Sequence, residues 1–156
     1  MLKAIPTVLT MCIHPDMIVD DLGIPIKDVT KYTDDFCETM ITGFTKLFVS
    51  IAPNALGENV PSKELLLTGA HPIVVNGKEI TANKLINNTT IKWKKYEYEI
   101  PVYCIKFKER KSIKMHGIDV VQWGEKEFDK MQKSMNIKYN GCGFIKHKWN
   151  NNKIQS

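Results

Sequence analysis

Thr33-Asp34-Asp35-Phe36-Cys37-Glu38-Thr39-Met40-Ile41-Thr42-Gly43-Phe44-Thr45-Lys46-Leu47-Phe48-Val49-Ser50-Ile51 is the stretch on which the fold turns. Phe36, Met40, Ile41, Phe44, Leu47, Phe48 and Ile51 recur at spacings of three and four, which predicts a helix over 33–51 with one apolar stripe. Thr33 reads as its cap. Asp34 and Asp35 sit in the first turn, where the helix dipole favours negative charge. Pro53-Asn54 ends it.

Toward the N-terminus, Ile5–Ile13 reads as a mostly apolar buried strand that Met17–Val19 continues. Asp20–Pro25 has the Gly, Pro and Asp content of a turn. Toward the C-terminus, Pro61-Ser62 opens a short helical turn through Leu67, ended by Gly69. Ile73-Val74-Val75-Asn76-Gly77-Lys78-Glu79-Ile80 is a β-hairpin, because Asn-Gly suits the positive φ angles of a type I′ turn. The polar stretch 83–90 reads as a loop. Ile91–Phe107 follows as a strand, with Trp93, Tyr96, Tyr98, Ile100 and Val102 on one face if a bulge falls near Lys94-Lys95. Lys108–Lys111 reads as an exposed turn, and Ile113–Val121 as a strand broken near Gly117. Gly124–Met135 reads as a second helix with Phe128, Met131 and Met135 on its buried edge. Ile137–Trp149 reads as a final strand kinked at Gly141-Cys142-Gly143. These elements predict one α+β domain over 1–149, with a mostly antiparallel sheet, two main helices and a flexible tail at 150–156.

Composition bounds the function. The 156 residues are 43% hydrophobic and 25% charged, enough for one domain with its own core and without the bias of disorder or of a repeat protein. No run of about 18 apolar residues suggests a membrane span. Among the 22 basic residues only Arg110 is arginine. Arginine supplies the planar fork that reads guanine edges, so sequence-specific DNA reading is disfavoured. Lys, Ile and Asn account for 50 residues, a bias that fits an AT-rich genome such as those of many viruses and phages. Charge is divided along the chain: residues 1–62 carry 4 basic and 8 acidic side chains, and residues 63–156 carry 18 and 9.

Several motifs carry residue types suited to binding or catalysis. The segment Lys92-Trp93-Lys94-Lys95-Tyr96 interleaves aromatics and lysines as single-strand binding platforms do, and Lys106, Lys108, Arg110 and Lys111 extend it. Cys12, His14, Cys142 and His147 are a possible Cys₂His₂ metal set, although neither pair has the usual zinc spacing. Cys104, Cys142, His71, His116 and Asp119 are available for nucleophilic catalysis, but no local signature joins them. His14-Pro15-Asp16 matches the tripeptide of J-domain cochaperones without the basic helix that precedes it there. Residues 62–80 resemble part of the RNA-binding S4 module around Val74–Lys78, without its longer basic helix; neither family is assigned.

These readings predict a non-enzymatic structural or assembly subunit, set in a viral or phage particle, with other protein subunits as partners and no cofactor. The alternative is a lysine-rich nucleic-acid-binding module, acting through the basic residues of 63–156. The third is a small thiol- or metal-dependent enzyme. The four cysteines are dispersed among apolar neighbours and expected to stay reduced, which places the protein in the cytoplasm, or in the virion if viral. No membrane partner is expected.

Overall fold

A computed structural model describes residues 12–135. The strands are β1 (Ile18–Val19), β2 (Ile24–Pro25), β3 (Phe36–Ile51), β4 (Leu65–Leu67), β5 (Pro72–Val75), β6 (Lys78–Thr81), β7 (Ile91–Phe107), β8 (Lys111–Met115) and β9 (Ile118–Gln122). The helix α1 spans Glu125–Met135. Six strands form one antiparallel sheet in the order β2-β1-β8-β9-β5-β6, and three form another in the order β4-β3-β7.

The expected α+β class with two main helices is therefore corrected: among the described residues the chain is mostly β, with one α-helix. The error lies at residues 33–51, which run as the 16-residue strand β3. Three register shifts break its pairing with β7, between Phe36 and Glu38, Ile41 and Gly43, and Thr45 and Leu47. An extra residue at a bulge moves the following side chains to the other face of the sheet. The apolar residues at spacings of three and four therefore do not share one face: Met40, Phe48 and Ile51 are buried, Phe36, Ile41 and Phe44 half-buried, and Leu47 exposed. At its C-terminal end the strand is buried on both faces, so Phe48, Val49, Ser50 and Ile51 are all inside and no alternation is left to see.

The expected helical turn through Leu67 is instead β4, whose Leu65–Leu67 pair with Val49–Ile51. The strand expected over 113–121 with a break near Gly117 is a hairpin that turns at that break. His116 (φ 51°) and Gly117 (φ 85°) make its turn, capped by Asp20, whose carboxylate accepts both backbone N–H groups at 2.9 and 2.8 Å. The Asn76-Gly77 hairpin is as expected, with φ of 51° and 79°, and so are the bounds of β7. At α1, the Gly124 N–H donates to Glu127 Oε1 at 2.9 Å, one half of a capping box. Of the strand expected over 5–13 only Cys12 and Ile13 are described, Ile13 as an isolated bridge; residues 5–11, the expected strand over 137–149 and the tail at 150–156 lie outside the described residues.

Ile13 bridges Leu67 of β4 on one side and Tyr103 of β7 on the other. Backbone pairing thus runs from β4 through β3, β7 and Ile13 back to β4, and the bulges let the long β3–β7 ribbon bend into that ring. The two sheets share one core, in which Ile13, Phe48, Ile51 and Phe107 meet Val19, Ile73, Met115 and Val120. Gln122, wholly buried on β9, accepts the Ile105 N–H at 2.8 Å and so ties the sheets together. Among the described residues no helix is long and apolar enough to cross a membrane.

Candidate functional site

Most residues with catalytic potential are already engaged. His14 Nδ1 accepts the Asp16 N–H at 3.1 Å, and its ring lies against Phe48 and Tyr96. His116 is held from both nitrogens: Nδ1 donates to Glu64 O at 2.9 Å and Nε2 accepts the Ile18 N–H at 3.0 Å. His71, wholly buried, donates from Nε2 to Val121 O at 2.9 Å. Burial holds all three imidazoles below their usual pKa, His71 at about 3, so they stay neutral at physiological pH. Burial also pushes the Cys37 and Cys104 thiols up, which suppresses the reactive thiolate. Asp119 bonds Lys114 at 3.0 Å. The structure does not assemble His71, His116, Cys104 and Asp119 into one constellation.

Of the expected metal set, Cys12 and His14 are described, and Cys142 and His147 lie outside. The Cys12 thiol sits 2.8 Å from Thr42 Oγ1. Among the described residues no group of three or more His, Cys, Asp or Glu side chains is arranged to hold a metal ion.

The aromatic and basic residues of β7 separate into two places. Lys92, Trp93, Lys94 and Lys95 are exposed at the ribbon end, where they pair with Ser50, Val49, Phe48 and Leu47 of β3. The irregularity lies at residues 96–99, beyond the expected Lys94-Lys95: Lys95 pairs with Leu47, and Ile100 with Thr45. Tyr98 is thrown outward on it with Glu97 and Glu99, and is 77% exposed. The expected single aromatic face does not form. Trp93 is 46% exposed, whereas Tyr96 turns inward, with its ring 5.5 Å from Phe48 and edge-on to it. Lys94 reaches Glu64 at 3.3 Å and lies 5.4 Å over the Tyr96 ring.

Lys106, Lys108, Arg110 and Lys111 lie at the other end of β7 or just past it, and roughly 40 Å of extended chain separates Lys95 from Lys108. Lys106 is buried over the Phe128 ring. Arg110 bonds Glu79. Lys111 bonds Asp35 at 3.2 Å and covers Phe107. Of the four only Lys108 is exposed with no ion pair among the described residues. These cations therefore do not extend a track from Trp93.

The ribbon end has a feature that sequence reasoning missed. Leu47, placed in the core by the helical reading, is 43% exposed. It stands diagonally across the two strands from Trp93, a separation at which large side chains can reach one another. The far edge of the Trp93 ring lies over Gly69, where a Cβ would come within 2.7 Å of it. That edge of the indole is thereby seated on the Gly69 backbone, while the residue as a whole stays 46% exposed. The pairing of Leu47 with Lys95, visible only once β3 is a strand, is the signal that would have found it. Charge adds a constraint. Residues 12–135 hold 17 basic and 17 acidic side chains, so the +5 excess comes wholly from Lys3, Lys138, Lys146, Lys148 and Lys153.

Comparison with protein-family models, with curated proteins and with solved structures finds no match.

Proposed function

We propose that the chain is a non-catalytic subunit of a larger assembly, and that it docks a neighbouring protein on the ribbon end around Trp93. The observation that carries this reading is the exposure of three large apolar side chains near one end of the β3–β7 ribbon: Leu47 and Trp93, diagonal to each other with Lys95 beside them, and Tyr98 on the adjacent irregularity with Glu97 and Glu99. Large aromatics inside a rim of mixed charge have the make-up of protein-interface hot spots. The partner that fits offers an apolar recess for the indole face and charges of both signs around it. A viral or phage particle is the proposed setting, which suits the Lys, Ile and Asn bias. The cytoplasm, or the virion, is the proposed location.

The nucleic-acid reading ranks second. Trp93 and Tyr98 favour it, since exposed rings can stack bases. Glu64, Glu97 and Glu99 oppose it, because they surround the same lysines and repel phosphate, and the described body has no net charge to attract a polyanion. Size fractionation of a nuclease-treated extract from the natural source tests the proposal. The wild-type chain should elute far above its 17.9 kDa, and a Trp93→Ala/Tyr98→Ala variant should shift toward the monomer. A monomeric wild-type chain, or a large species lost to nuclease alone, overturns it.

A further inference from the structure

Cys12 and Cys104 oppose each other across the seam that closes the β3 ring. The Ile13 N–H donates to Tyr103 O at 2.8 Å, and the Tyr103 N–H donates to Ile13 O at 2.9 Å. Residues 13 and 103 are therefore a hydrogen-bonded antiparallel pair. Antiparallel register puts Cys12 opposite Cys104 in the adjacent non-hydrogen-bonded position. In that position the two Cα atoms lie about 4.5 Å apart, within the roughly 4.4–6.8 Å span that a disulfide bridges. Thr42 shows that both thiols point to the same side. Its hydroxyl lies 2.8 Å from Cys12 Sγ and acts on the Cys104 thiol as well, offsetting part of the rise that burial imposes there. Thr42 is itself the residue added by the β3 bulge between Ile41 and Gly43.

We propose that Cys12 and Cys104 form a reversible dithiol–disulfide pair that locks the seam, with a small-molecule disulfide as oxidant. Cys12 loses its proton and attacks the S–S bond of the oxidant, expelling one small thiolate and leaving a mixed disulfide. Cys104 loses its proton, attacks the Cys12 sulfur and expels the second. Two protein S–H bonds and the oxidant's S–S bond break. One protein S–S bond and two small-molecule S–H bonds form, so two electrons and two protons pass to the oxidant. Cys12 is wholly buried and its backbone is tied to Thr68, so the oxidant reaches it when the Ile13–Tyr103 pair on the β7 side opens locally. Cys104 sits deep in a 17-residue strand and resolves the intermediate. The disulfide fixes in covalent form a closure that among the described residues passes through Ile13, and it restrains a long loop of the unfolded chain. This pair is independent of the docking surface.

The test incubates the full-length protein with oxidised glutathione, blocks remaining thiols with iodoacetamide and counts them in denaturant. The thiol titre should fall from four to two, and a non-reduced digest should join the Cys12 and Cys104 peptides. Reduction of an unblocked oxidised sample should restore all four thiols, and the oxidised form should unfold at higher urea. A Cys37→Ser/Cys142→Ser variant, which leaves the pair untouched, should go from two thiols to none. A bond to Cys37 or Cys142 instead, or a glutathione adduct that persists on Cys12, overturns the proposal. So does retention of every thiol after oxidation in urea just below the unfolding transition.

Discussion

Acid should destabilise this fold through His71, and the size of the effect follows from where the ring sits. His71 is wholly buried; Nε2 donates to Val121 O, and Nδ1 has no hydrogen-bond partner. Protonation would put a cation on Nδ1 in the core. Burial accordingly lowers the folded-state pKa from 6.5 to about 3. The folded chain thus binds this proton less readily than the unfolded chain. The contribution is fully present above pH 6.5 and is lost as pH falls from 6.5 toward 3. At about 1.4 kcal/mol per pH unit within that window, the loss reaches about 2 kcal/mol by pH 5 and about 3 kcal/mol by pH 4. The assay is urea unfolding, followed by tryptophan fluorescence at pH 7.5, 6, 5 and 4.5, of the wild type and of His71→Gln. The glutamine keeps an N–H for Val121 and does not titrate. Carboxylates, His14 and His116 titrate in both proteins, so the difference between the two curves isolates His71. That difference should change by about 2 kcal/mol between pH 7.5 and 5, always in the sense that the wild type loses more. Parallel curves would refute the reasoning.

Two further substitutions test the strand assignment and the seat of Trp93. Phe48→Ala should cost about 3–5 kcal/mol and Leu47→Ala less than about 1 kcal/mol in urea unfolding, because Phe48 is wholly buried and Leu47 is 43% exposed. Similar large costs at both would return residues 33–51 to a helix. Gly69→Ala should push the indole off the sheet, cost about 1–3 kcal/mol and shift Trp93 emission to the red. Unchanged emission would mean that the ring does not rest on Gly69.

Legibility in the sequence followed the spacing of the signal. Asn76-Gly77 was readable because its two residues alone satisfy the turn, whatever surrounds them. The helix Glu125–Met135 was readable because its early glutamates and its Phe128–Met131 edge agree with each other. Strand β3 was not, because bulges at positions 37 and 42 shift alternation by one residue each time. Its composition carried a contrary signal: Thr39, Ile41, Thr42, Thr45, Val49 and Ile51 are all β-branched, and β-branched residues favour strands. The aromatic and basic character of 92–98 was visible, but the sequence could not show that Tyr96 turns toward Phe48 while Tyr98 turns out. Nor could it show that Lys106, Arg110 and Lys111 are taken up by Phe128, Glu79 and Asp35. Those outcomes depend on partners distant in sequence. The opposition of Cys12 and Cys104 was equally hidden, since it rests on one bridge between segments ninety residues apart.

Photo-crosslinking from position 93 tests the central claim most directly. A benzoylphenylalanine replaces Trp93 in the full chain, produced in its natural source and irradiated before lysis. The docking account predicts an adduct with one discrete protein species, insensitive to nuclease and lost when Leu47→Asp is added. An adduct with nucleic acid, or no adduct from a correctly folded chain, would contradict it.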